Sequence, residues 1–291
     1  MMRTRLDDLI RITMRPAWPL FTLLIVLMYI PTYVKLGRTV WQSEEGSYGP
    51  LILLATLFVA WRARSRLTEV TTASACVAGV LLFAAGLLCC VVGRSQAIIE
   101  LDAGSQIPVI AGGVLILGGW PSLRAMLFPV LYLFFCIPLP GVLVVTMTEA
   151  LKVLASSAAE QSLWSIGYPV ARTGVVLLVG PYQLLVADAC SGLNSLISLA
   201  ALGLLYLNLV GKRGRVRQIL MIAALVPIAL AANVVRIDAL ALITFYLGDE
   251  AGQGFLHETA GLVVFAVALA LFLALDRLLA CAWRPRFKEV T

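Results

Sequence analysis

Charged side chains are scarce in this chain, and histidine is scarcer still. Only 13% of its 291 residues are charged, and His257 is the one histidine. A soluble domain carries about 25% charged residues to cover its surface, so a water-soluble globule is excluded. Six cysteines are present without a single CxxC pair or regular spacing, which argues against a disulfide framework or a zinc site. Cys76, Cys89, Cys90, Cys136 and Cys281 read instead as small apolar residues in helices. No metal and no cofactor are expected. Internal repeats and low-complexity segments are absent from the sequence. No small-residue cleavage site follows the apolar stretch 16–34, so that stretch reads as a retained membrane helix rather than a signal peptide.

What the sequence has in excess is apolar length: 61% of it is hydrophobic. Stretches near the roughly 20 residues that cross hydrocarbon recur throughout. The spacing predicts spans over 17–34, 48–61, 73–93, 104–120, 124–140, 190–210, 217–236 and 257–276. This describes an all-α membrane protein, a polytopic helical bundle of about eight transmembrane helices forming one domain over 1–291. The net charge of +6 sits in short basic clusters between apolar segments, as cytoplasmic loops carry it, so nucleic acid is not an expected partner. With both termini in the cytoplasm, all of the 22 basic residues except Lys35, Arg38, Arg94, Lys152, Arg172 and Arg236 fall inside. That asymmetry orients the bundle.

The longest outer connection then covers 141–189. Within it, 146–166 has apolar residues at helical spacing interrupted by Glu149, Lys152, Glu160 and Gln161, the pattern of a helix lying in the interface or over the bundle. The run VARTGVVLLVGPYQLLVADAC follows, with β-branched residues and a Gly-Pro turn that suit a short β-hairpin on the outer side. It delivers the chain to Cys190.

Cys190 opens a span reading ACSGLNSLISL, where Ser191, Gly192, Asn194 and Ser195 stand in positions a membrane helix fills more cheaply with leucine. A helix N-terminus favours a thiolate, because unpaired N–H groups and the helix dipole attract negative charge. Arg236, in LAANVVRIDAL, lies about 27 Å along its helix from Gln218, at the depth of Cys190. It is the only basic residue between Arg217 and Arg277, and ionisable residues within a membrane segment mark function by default. His257 opens the last span at the same outer level. A thiol, a base with a pKa near neutrality and a fixed cation are what acyl transfer through a thioester requires. Asp188, Asn194, Ser195, Asn233 and Glu258 are candidates for orienting the base or holding the arginine, and each serves equally as a helix cap or an exposed polar residue. Ser191 or Ser195 could act as an alternative nucleophile, but a thiolate forms without so strong a base.

Three motifs, ACSGLNSL, NVVR and HETAG, together with WRARSRL, FFCIPLP and GYPVARTG upstream, resemble those of the exosortase and archaeosortase family over most of the chain from about residue 43. Where many relatives read SHG, this chain reads Ser47-Tyr48-Gly49. The resemblance implies a membrane cysteine protease or transpeptidase of the bacterial cytoplasmic (inner) membrane with its site at the outer face. The catalytic positions it implies are Cys190, Arg236 and His257. The implied partners are C-terminal sorting signals of exported proteins, each a short motif of PEP-CTERM type, a transmembrane helix and a basic cluster. A transporter or flippase for an exopolysaccharide intermediate is the rival from another class. Transporters place polar residues near the midplane and carry paired repeats, neither of which is found.

Overall fold

The computed structural model describes residues 17–42, 46–67, 72–185, 192–211, 214–248 and 255–282. The chain divides between Pro140 and Gly141 into two compact units.

The first unit holds α1 (Ala17–Arg38), α2 (Gly49–Ala63), α3 (Ala73–Ser95), a short α4 (Ile99–Gly104) and α5 (Gln106–Tyr132), which ends in a 3-10 turn at Leu133–Cys136. Pro50 pre-shapes the first turn of α2. Thr72 caps α3, its Oγ1 accepting from the Ala75 N–H at 3.3 Å. These helices begin and end within four residues of the first three predicted spans.

The spans expected over 104–120 and 124–140 meet a different arrangement. No loop separates them, because the reversal is made at Gly119 alone, with φ 65° and ψ −168°. Gln106 and Leu133 line one cavity, yet on a straight helix they would lie about 40 Å apart. The chain therefore folds back at Gly119, a backbone conformation that glycine adopts without steric cost.

A seam of small residues joins α3 to the α4–α5 segment. Gly79, Gly86 and Gly93 recur every seven residues along one face of α3. A β-carbon on Gly79 would meet Gly112 and Ile116, one on Gly86 would meet Val109, and one on Gly93 would meet the Asp102 backbone. Without a hydrophobic drive between helices in lipid, such close backbone approach supplies the attraction through dispersion. Gly49 is confined in the same way, since a β-carbon there would run into the Trp41 ring.

Polar residues at one end of this unit form a closed network. Asp102, 6% exposed, accepts from Thr32 Oγ1 at 2.9 Å, from Arg94 Nε at 3.2 Å and from the Cys90 thiol at 3.5 Å. Tyr29 and Ser105 share a hydrogen bond of 2.8 Å. A carboxylate in a membrane unit persists only when so satisfied.

The second unit begins with α6 (Gly141–Ser165), continues through β1 (Val170–Thr173), β2 (Val176–Val179) and β3 (Tyr182–Leu185), and closes with α7 (Gly192–Val210), α8 (Arg215–Leu247) and α9 (Phe255–Ala282). The expected hairpin is a three-stranded antiparallel meander in the order β1-β2-β3. Thr173 pairs with Val176 and Val179 with Tyr182, so each turn has two central residues. Each starts on a glycine with positive φ, Gly174 at 64° and Gly180 at 58°, as a right-twisted hairpin requires. Leu177 and Val179 face inward, against Ala159 and Leu163 of α6 and Ile237 and Leu240 of α8.

The stretch expected to lie in the interface or over the bundle is a helix of 25 residues, and by length and apolar composition it is able to cross a membrane. Its interrupting charges are paired. Lys152 lies 3.4 Å from Glu149, and Glu160 accepts from Arg172 of β1 at 3.1 Å. Helix α8 also exceeds expectation, continuing from Arg236 to Leu247. That added length, about 16 Å, is held by Ile237, Leu240 and Ala241, which pack against α6 and the sheet.

Among the described residues, five stretches are long and apolar enough to span: Ala17–Arg38, Ala73–Ser95, Ile99–Cys136, Gly141–Ser165 and Val216–Leu247. The protein is thus a multi-pass, mainly helical membrane protein.

At one end of α7, α8 and α9 a buried knot ties all three helices. Asp276 of α9 accepts from Arg217 Nε of α8 at 2.8 Å and from the Tyr206 hydroxyl of α7 at 2.7 Å, and Arg217 also donates to the Asp276 carbonyl at 2.6 Å.

Two outcomes follow from this packing. Gly86→Leu should overpack the seam and destabilise the protein by about 1–3 kcal/mol, read as a lower unfolding temperature in detergent. Asp276→Ala, which strands the Arg217 charge, should cost about 3–5 kcal/mol, whereas Arg217→Met with Asp276→Leu should recover most of that loss in the same assay.

Candidate active site

Of the expected site residues, Cys190, Ser191 and Asp188 lie outside the described residues. Asn194, His257 and Glu258 are placed by their backbone only, Asn194 in the first turn of α7 and the other two in the first turn of α9. Asn233 is buried at 6% exposure, and Arg236 and Ser195 are half-buried.

The helices that carry these positions have a fixed sense. The knot of Tyr206, Arg217 and Asp276 marks one level. A second level is marked by a void of about 10 Å³ between Ser195 and Leu199 of α7, Ala229, Ala232 and Asn233 of α8, and Phe265 and Ala268 of α9, room for one water molecule at most. From the second level to the first, α7 and α9 run forward along the chain and α8 runs backward. Continuing past the void, away from the knot, the start of α7 at Gly192, Arg236 on α8 and the start of α9 at Phe255 all lie at the same end.

At 1.5 Å per residue, Arg236 stands about 7 Å beyond the middle of the void layer and the His257 backbone about 14 Å beyond it. Asn233 and Arg236, three residues apart, share the face of α8 turned toward α7 and α9. Arg236 is not at the tip of its helix, because α8 runs on to Leu247 beside α6 and the sheet.

The meander is the last described element before position 190. Arg172 braces β1, donating from Nε to Glu160 and from Nη1 to the Gly174 carbonyl at 2.8 Å. The Leu177 and Val179 side chains pin β2 to the core. β3 ends at Leu185, five positions before Cys190. Beyond the sheet, Tyr168 and Tyr246 share a hydrogen bond of 2.9 Å, which holds the Tyr168 phenol above its ordinary pKa. Trp164 and Tyr246 are exposed there, the aromatic composition of a membrane interface.

One polar residue close to the site went unnoticed in the sequence. Asp238, two positions after Arg236, accepts from Ser162 of α6 at 2.6 Å through Oδ2, while its buried Oδ1 has no hydrogen-bond partner among the described residues. Two positions along a helix turn the chain by about 200°, so Asp238 faces α6 while Arg236 faces α7 and α9. An acidic residue inside an apolar span was the available signal. Its partner, 76 positions away, left no mark in the local pattern. Among the described residues, no group of three His, Cys, Asp or Glu side chains is placed to hold a metal ion.

Comparison with known proteins adds one finding. No curated protein and no solved structure matches the chain. A family model described as transmembrane exosortase matches residues 40–274, which takes in all of α2 to α8 and most of α9. The match covers well over half of the sequence and includes every expected site residue from Asp188 to Glu258, so the chain belongs to the transmembrane exosortase family.

Proposed function

We propose that this protein is a membrane cysteine protease or transpeptidase that cleaves C-terminal sorting signals of exported proteins, with Cys190 as nucleophile. The observation that carries the reading is the shared sense of α7, α8 and α9. It sets the start of α7, Arg236 and the first turn of α9 at one end of the three-helix group, opposite the Asp276 knot. Family membership supports the same sorting role.

In this mechanism His257 withdraws the Cys190 thiol proton. The thiolate attacks the scissile carbonyl, and Arg236 stabilises the thiolate and then the oxyanion. The C–N bond breaks as His257 returns its proton to the leaving amine, leaving a thioester on Cys190. Water or an acceptor amine then attacks the thioester and frees the thiol. Arg236 suits its role because a guanidinium stays charged even where solvation is poor. Asn233, one turn before it on the same face, is suited to orient it.

The substrate we propose is a short motif followed by a transmembrane helix and a basic cluster. Its helix would lie beside the bundle with the basic end in the cytoplasm, holding the motif at the outer face of the inner membrane. The lysine and arginine asymmetry supports that orientation, with both termini cytoplasmic and about eight crossings.

Cys190→Ala and His257→Ala should each lower processing by at least about a hundredfold, and Arg236→Ala by a comparable factor. The assay co-expresses each variant with a tagged sorting-signal protein and follows its size shift, with membrane insertion checked by quantifying the enzyme in the membrane fraction. Stably inserted variants that process at the wild-type rate would remove the site. Denaturing mass spectrometry of the wild type should trap an acyl adduct on Cys190.

A further inference from the structure

The first unit contains a groove that the cleavage reaction does not use. It has a volume of about 470 Å³ and lies between α1, α2 and α5, within the range of roughly 300–1,000 Å³ typical of small-molecule sites. Its walls are almost wholly apolar, and it opens sideways between Val26, Ile30 and Val34 of α1 and Leu57 of α2, all of them exposed. In this protein a sideways opening faces lipid.

One end of the groove is polar. Gln106 lines it while only 2% exposed. Its carboxamide accepts from the Tyr33 hydroxyl through Oε1, and no described residue takes a hydrogen bond from its amide N–H groups. A carboxamide offers two such donors, and because Gln106 lines the groove they are open to a ligand lying in it. Arg38, exposed and outside every ion pair among the described residues, lies one helical turn beyond Val34 on the same side of α1. Lys35 is exposed beside it, Asp102 is taken by Arg94, and among the described residues Glu100 in the first turn of α4 is the remaining carboxylate at that end, Glu44 and Glu45 lying outside them.

We propose that this groove holds one acyl chain of an anionic phospholipid, with the lipid's ester carbonyl on the Gln106 amide and its phosphate at Arg38. The chemistry of the site follows the order of parts in such a lipid: a hydrocarbon wall, then hydrogen-bond donors, then positive charge. The volume separates this occupant from a transmembrane segment of another protein. A helix about 11 Å across and 30 Å long fills roughly 3,000 Å³, several times the space available. The site is independent of the cleavage chemistry, so either reading can fail without the other.

The test uses the full chain in nanodiscs of phosphatidylcholine carrying a small fraction of phosphatidylglycerol with a diazirine in one acyl chain. After irradiation, the adducts are mapped by peptide mass spectrometry. Label should concentrate on peptides from α1, α2 and the second half of α5, about tenfold above the lipid-facing Leu81 and Leu88 region of α3. Ala60→Phe, which fills the groove, should remove that excess. Leu57→Trp, at the exposed mouth, should do the same and covers the case in which the first variant does not fold. Unlabelled phosphatidylglycerol should compete about fivefold better than phosphatidylcholine, and Arg38→Gln should erase the difference. Label spread evenly over all exposed helices, equal competition by the two lipids, or displacement by an apolar transmembrane peptide instead of lipid would each overturn the proposal.

Discussion

Within the hydrocarbon no water is at hand to satisfy a polar group, so a carboxylate there must find every partner inside the protein. Asp276 meets that demand by drawing on two neighbouring helices at once, Arg217 of α8 and Tyr206 of α7. Rotating or sliding any of the three helices by a turn would leave a buried charge without compensation. The functional end depends on this, because the same three helices carry Arg236 and the backbone of His257, and begin just after Cys190. A polar contact at one end of the group thus sets which residues share the other.

The first unit solves the same problem by other means. Asp102 gathers donors from α1 and α3 within a few residues of where α4 begins. The glycines at 79, 86 and 93 then let α3 come into backbone contact with the segment that follows. Dispersion along that seam and hydrogen bonds at its end act on the same pair of elements, so neither has to carry the packing alone.

Much of this could be read from the chain. Apolar runs located α1, α2 and α3 to within four residues, because a membrane helix must be long and unbroken whatever it packs against. The order of the motifs identified the family. What escaped was set by contacts distant in sequence. The Gly119 reversal replaces an expected connection over 121–123. The path after Arg236 was not legible in the sequence, because the helix continues there where α6 and the sheet cover Ile237, Leu240 and Ala241. The charges of 146–166 suggested a helix in the interface or over the bundle because their partners, Arg172 for Glu160 among them, were not visible as partners. Arg217 reads in the sequence only as one of the basic residues that mark the inner side, yet it binds Asp276, 59 positions away.

The extension of α8 past Arg236 also bears on how that charge is felt. An arginine at a helix tip would face bulk solvent, where a unit charge 4 Å away interacts by only about 1 kcal/mol. Half-buried well before the end of its helix, the guanidinium acts partly through protein, and at the effective permittivity of such a place the same pair is worth about 4 kcal/mol. Mobile ions reach such a place poorly. Its field on a nearby anion is therefore a property of the protein wall rather than of the surrounding salt.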